Sequence, residues 1–119
     1  MNRHLTECPQ SPNCVATQTE QADKKLLPLT FRGSATKAQL TLKELILGLR
    51  RTALIREEPG YLHFSFTTWP IPFVDDVEFL IDPAQKLIHF RSASRVGYSD
   101  LGANRSRMKK VTARWEARQ

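Results

Sequence analysis

Two apolar runs, FVDDVEFLI and LIHFRSASRV, are separated only by Asp82-Pro83-Ala84-Gln85-Lys86, and this spacing constrains the chain more than any other feature. Each run alternates apolar and polar residues, the pattern of half-buried strands, and a short polar turn between them specifies an antiparallel hairpin. With Ile81 beside Ile88, Phe79 meets Phe90, Val77 meets Ser92 and Asp75 meets Ser94, while Glu78 pairs with Arg91 on the opposite face. A slip of one residue would turn every one of these side chains to the wrong face, so the register is strongly specified.

A second hairpin is expected upstream. Glu58-Pro59-Gly60-Tyr61 has Pro and Gly at the centre of a type II turn, joining residues 52–57 to 61–69. In the register that turn favours, Ile55 faces Phe64 and Ala53 faces Phe66. Before it, Leu42, Leu45, Ile46 and Leu49 recur at i, i+3, i+4 and i+7 and predict a helix. Capping boxes at Thr36/Gln39 and Thr41/Glu44 compete for its start, and the earlier is preferred. A second helix is expected from about Asp100 to Ala117, with Leu101, Met108, Val111 and Trp115 in one stripe that also holds Asn104 and Arg105. Arg107, Lys110, Arg114 and Arg118 then form the solvent side. Residues 1–35, rich in Pro, Gln and Thr, read as an extended arm in which Leu26–Phe31 could add an edge strand interrupted by Pro28. The expectation is a single α+β domain: an antiparallel sheet of about four strands against two helices, residues 36–119 as core and 1–35 as arm.

At 119 residues the chain is long enough for one core and too short for two. Its net charge of +6 attracts anions without naming them. That charge is concentrated in residues 86–119, where Lys86, Arg91, Arg95, Arg105, Arg107, Lys109, Lys110, Arg114 and Arg118 face only Asp100 and Glu116. The start, MNRHLTECPQ, lacks the apolar segment of a secretory signal, and Leu5-Thr6-Glu7-Cys8 fails as a lipoprotein box because Glu7 stands at a small-residue position. No apolar run is long enough to span a membrane. The chain therefore reads as soluble and cytoplasmic.

Polar chemistry gathers in RSASRVGYSDLGANRSR, residues 91–107. Its serines and glycines before a helix suggest an anion-cradling loop, but the P-loop and dinucleotide spacings are absent. The plainer alternative is a strand-to-helix corner in which Gly97 permits the turn and Ser99 or Asp100 caps the helix. Arg91, Ser94, Arg95, Tyr98, Asp100 and Asn104 are the candidate ligand-binding residues, beside a charge network of Asp75, Glu78, Arg91 and Arg105. A hydrolase-like site around Asp75, Ser94 and Arg95 is an alternative, although alternation sends Asp75 and Asp76 to opposite faces and no histidine is near in sequence. The basic helix offers a third class, nucleic-acid binding, without the aromatic residues that usually accompany it. Cys8 and Cys14 are too widely spaced for a zinc knuckle, and His4, His63 and His89 are too scattered to complete one, so no metal or other cofactor is expected. The two cysteines could be packed thiols, a disulfide in an oxidising compartment or a redox pair; the cytoplasmic expectation favours thiols. Trp69-Pro70-Ile71-Pro72-Phe73 either packs into the core, the favoured fate, or forms an exposed apolar lip.

Three segments, CPQSPNCVATQ, FVDDVEFLID and RSASRVGYSDLGANR, together resemble the signature of family 1499 among the domains of unknown function, found in bacterial and plastid proteins. The likeness runs from about residue 5 to residue 116, with Ala16-Thr17 where the family more often carries serines. It implies no activity and no catalytic residues. On the residues themselves, the expected role is a binding module for an anionic small molecule or an acidic protein surface. Because Asp75 and Arg105 both fall on core-facing positions, they are expected to pair, with Ser94 and Asn104 filling the remaining hydrogen bonds and clamping helix to sheet.

Overall fold

The computed structural model describes residues 3–96 and 102–119. The order of elements is β1 (Cys14–Ala16), a 3₁₀ turn (Ala22–Lys24), β2 (Leu29–Thr30), α1 (Ala35–Leu47), β3 (Thr52–Glu58), β4 (Tyr61–Thr67), β5 (Val74–Asp82), β6 (Leu87–Ser94) and α2 (Ala103–Glu116). The strands form one antiparallel six-stranded sheet in the order β1-β6-β5-β4-β3, with β2 also paired to β6.

The β5–β6 hairpin has the register set by its apolar alternation: Ile81 opposite Ile88, Phe79 opposite Phe90, Val77 opposite Ser92, Asp75 opposite Ser94 and Glu78 opposite Arg91. The β3–β4 hairpin departs from its expected register. Gly60 does adopt the positive φ of 81° that the turn requires, but the ladder shifts between Leu54 and Arg56. Leu54, rather than Ile55, therefore faces Phe64, and Thr52 rather than Ala53 faces Phe66. Ile55 is the extra residue of a bulge and is left half exposed.

Six strands rather than four arise because residues 14–16 and 29–30 both join the outer edge of β6. Such short strands carry no periodicity, and their partner lies far along the chain, so no local turn announces them. The strand after Pro28 starts at Leu29, where the missing proline N–H no longer interferes.

Both helices lie on one face of the sheet. Leu42, Leu45 and Ile46 of α1 and Met108, Val111 and Trp115 of α2 pack against Leu62, Phe64, Val77, Phe79, Ile88 and Phe90. Burying each of these large side chains contributes about 1.5–3 kcal/mol, and the Phe64 and Phe79 rings meet edge to face at 6.0 Å. The α1 start lies before either expected box: Ser34 is the N-cap, accepting from the Lys37 N–H at 3.1 Å. α2 begins at Ala103 after Gly102, whose φ of 81° makes glycine the natural residue there. The cap is thus Gly102 and not Ser99 or Asp100, which lie outside the described residues together with Gly97, Tyr98 and Leu101. At the far end of α2 the Trp115 indole donates to Thr30 O at 2.8 Å and ties the helix to β2.

Candidate functional site

Strand alternation sorts the polar residues into two layers, one on each side of the sheet. On the helix side, Asp75 is 2% exposed at its side chain and meets Arg107 Nη2 at 2.5 Å. Arg107 Nη1 also donates to Asn104 Oδ1 at 2.9 Å and Ser92 Oγ at 3.2 Å, and its guanidinium stands 5.1 Å above the Phe66 ring. The wholly buried Asn104 completes the layer. It accepts from Ser92 Oγ at 2.6 Å and donates to Ser94 Oγ and to the Asn13 carbonyl, both at 3.1 Å. The clamp between helix and sheet therefore exists, with Ser94 and Asn104 in it, but its cation is Arg107. Arg105 instead donates to the Asp23 carbonyl at 2.6 Å on an exposed edge.

The reason is helical phase. At about 100° per residue, Arg107 lies about 40° from Val111 whereas Arg105 lies about 120° from it. Arg107 therefore leaves the solvent side to which its spacing from Lys110 and Arg114 assigned it, and Lys110, Arg114 and Arg118 remain exposed.

The second layer occupies the face away from the helices. Asp76 receives Arg95 Nε at 2.9 Å and Nη2 at 3.0 Å, and lies 2.8 Å from His63 Nε2. Burial alone would raise the Asp76 pKa, but the hydrogen bonds from Arg95 and His63 outweigh it and the carboxyl is held below its usual value. The Tyr61 hydroxyl donates to Glu78 Oε2, and Glu78 Oε1 lies 3.7 Å from Arg91 Nη1. Burial, then this hydrogen bond to a carboxylate, pushes the Tyr61 pKa strongly upward. Arg91 Nε is buried and has no hydrogen-bond partner among the described residues.

Residues 3–8 run over part of this face. Arg3 Nη1 donates to Pro59 O at 3.2 Å, and Cys8 packs with Cys14, Ala16 and Ala93. Glu7 has its pKa lowered first by the Glu20 N–H and the Thr19 side chain, with a smaller contribution from the charge of Arg91. Cys8 and Cys14 are joined as a disulfide, not held as separate thiols, so the described chain has no free cysteine. Pro9, Pro12 and the short separation bring them together.

The candidate ligand residues are consequently divided. Arg91 and Arg95 lie on the open face, Ser94 and Asn104 on the helix face, and Tyr98 and Asp100 outside the described residues. The hydrolase-like grouping does not converge, because Asp75 and Ser94 are engaged by Arg107 and Asn104 while Arg95 is on the other side with Asp76. Sequence reasoning missed Tyr61 and His63 as partners of the open face. The signal was available in the i, i+2 spacing of Tyr61/His63 and Asp76/Glu78 on neighbouring strands. The lip is exposed rather than packed, with Trp69 71%, Ile71 61% and Phe73 49% accessible.

At the opposite end of the sheet, an open depression of about 1270 Å³ borders both hairpin turns, with His4, Gln39 and His89 on its walls. Its polar walls already serve the fold: Gln39 binds Gly60 N and Glu58 O at 2.8 Å, and His89 Nδ1 lies 2.9 Å from Thr17 Oγ1. Among the described residues no group of three or more His, Cys, Asp or Glu could hold a metal ion, and no helix is long and apolar enough to cross a membrane.

No curated protein and no solved structure matches the chain significantly. A family model does match, over residues 4–114, and the chain accordingly belongs to the family described as "Protein of unknown function (DUF1499)".

Proposed function

We propose that the domain is a binding module for a small molecule bearing an anionic oxygen, received on the open face of the sheet beside Arg91 and Arg95. The observation that carries this reading is the buried Arg91 Nε without a partner among the described residues. Buried N–H donors are nearly always satisfied, and a carboxylate or phosphoryl oxygen is the acceptor a guanidinium edge fits best. Arg95, 47% exposed at its side chain, supplies a second cation two residues beyond Ala93, just past the end of β6. Asp76, Glu78 and Glu7 surround the two arginines, which favours one compact anion over a polyanion such as nucleic acid. The pairs hold both guanidinium groups in defined positions, and because Arg91 Nε is itself buried, a ligand reaches it by displacing the side chains that cover it. The Cys8–Cys14 bond beside this face is a reason to look for the protein in an oxidising compartment rather than the cytoplasm.

Titration of isotope-labelled protein with inorganic phosphate and with citrate, followed by amide NMR, tests the reading. Saturable shifts grouped on Arg91, Arg95 and their neighbours, lost in Arg91→Gln, are expected. Shifts confined to the exposed face of α2, or unchanged in Arg91→Gln, would favour the basic helix and overturn the site.

A further inference from the structure

The loop between β4 and β5 presents a cluster of large apolar side chains to solvent at one end of the sheet. Trp69, Ile71 and Phe73 are joined there by Val96, 62% accessible, whose neighbour Arg95 donates its N–H to Val74 O at 3.1 Å. Leu47, at the end of α1, is 44% accessible. Scattered apolar residues on a surface need no explanation, but several in one protruding tip do.

The tip is built to leave few backbone donors exposed. Pro70 and Pro72 have no N–H, and Thr68 closes the base: its N–H donates to Phe73 O at 2.8 Å, its hydroxyl donates to Ile71 O at 2.5 Å, and that hydroxyl accepts from Phe73 N at 2.9 Å. Ile71 O also accepts the Phe73 N–H at 2.9 Å. With Pro70 and Pro72 lacking an N–H and the Thr68 and Phe73 N–H groups bonded within the loop, fewer backbone donors must be desolvated on entering a medium poor in hydrogen bonds.

Its charge surroundings point the same way. Residues 67–74, TTWPIPFV, contain no acid, and the next two carboxylates, Asp75 and Asp76, are already held by Arg107 and Arg95. Arg51 O accepts the Thr67 N–H at 2.9 Å, which places the exposed Arg50-Arg51 pair beside the base of the loop. Neither arginine forms an ion pair among the described residues. An indole with aliphatic neighbours at the tip and unpaired cations at the base is the arrangement that suits an anionic bilayer surface, with the indole at headgroup depth and the arginines at lipid phosphates. A protein partner would call instead for a mixed polar rim.

We infer that the Trp69–Phe73 tip is a membrane-docking element: it inserts into the interfacial layer of an anionic lipid bilayer, to about 5–10 Å, while Arg50 and Arg51 hold the headgroups. The site is distinct from the open face of the sheet and does not depend on it.

The test uses Trp69 as its own reporter, because Trp115 is buried and contributes a constant background. Full-length protein is mixed with vesicles of phosphatidylcholine alone or with phosphatidylglycerol. A blue shift and co-sedimentation with the anionic vesicles only are expected. Trp69→Ser with Phe73→Ser should abolish co-sedimentation, and Arg50→Gln with Arg51→Gln should weaken it roughly fivefold per arginine. Circular dichroism and Trp115 emission verify that each variant is folded, as the exposure of all four sites predicts. Absence of binding to anionic vesicles overturns the inference, as does binding that survives the Trp69/Phe73 double variant. Concentration-dependent dimerisation abolished by that same variant would assign the tip to a second copy of the chain, and overturn it equally.

Discussion

Arg107 Nη2 lies 2.5 Å from Asp75 Oδ2, with 12% of the arginine side chain and 2% of the aspartate side chain exposed. Removing one member of so buried a pair strands the other, at a cost of about 3–5 kcal/mol. Arg107→Ala should therefore lose roughly that amount in urea unfolding, while Arg105→Ala, which gives up one exposed bond to a carbonyl, should lose about 1 kcal/mol or less. Equal losses in the two variants would show that the pair does not hold the helix to the sheet.

Reduction of Cys8–Cys14 should destabilise the fold modestly. The two cysteines are six positions apart, and a loop that short limits the chain-entropy contribution to about 2 kcal/mol. Denaturation with and without reductant measures it, and Cys8→Ser should match the reduced protein. A midpoint indifferent to reductant would mean that residues 3–13 are held by their hydrogen bonds alone.

His89 gives the protein a pH dependence that sets in below the usual histidine pKa. Burial lowers its pKa below the usual 6.5, with the charge of His4 adding to this and Asp82 opposing it. The folded state thus binds its proton more weakly than the unfolded state does. Its contribution to stability is complete above about pH 6.5 and is lost as pH falls through the lowered folded value. His89→Gln should flatten the slope of stability between neutral and mildly acidic pH; an unchanged slope would place the titration elsewhere.

Gly60→Ala should cost about 1–2 kcal/mol, since φ at this residue is +81° and a side chain is strained there. The added methyl would also come within 3.1 Å of Arg3 Nη1, though a flexible arginine can move aside. Thermal unfolding of Gly60→Ala in an Arg3→Ala background separates the two effects, and an undiminished cost there identifies the backbone as its source.

Where a local turn and a long apolar alternation coincided, the sequence was sufficient, and the β5–β6 register followed residue for residue. The β3–β4 register needed one more fact, the bulge at Ile55, which no alternation announces because the extra residue is itself apolar. Arg107 was hidden by Leu101, which pulls the centre of the apolar stripe toward Arg105; without Leu101, the phase set by Met108, Val111 and Trp115 favours Arg107. The strands at Cys14–Ala16 and Leu29–Thr30 are too short for any period, and their pairing is decided by a partner far away in the chain. The open-face network was legible in pieces. Asp76 and Glu78 were placed correctly by alternation, but only the β4–β5 pairing, with His63 opposite Glu78 and Ser65 opposite Asp76, brings His63 and Tyr61 to them.

Along the outer edge of β6, the chain's own first third occupies nearly every backbone position. Phe31 N donates to Lys86 O, β2 pairs with Leu87 and Ile88, Thr17 bonds Phe90 through both N–H and hydroxyl, β1 pairs with residues 91–93, and Ser94 N donates to Asn13 O. The amino-terminal segment is thus a built-in donor strand in two pieces. A chain cut before Ala35 would bare an eight-residue edge of alternating apolar side chains, the template on which identical chains add to one another. The same thirty-odd residues that look least structured in the sequence are the ones that close this edge of the sheet.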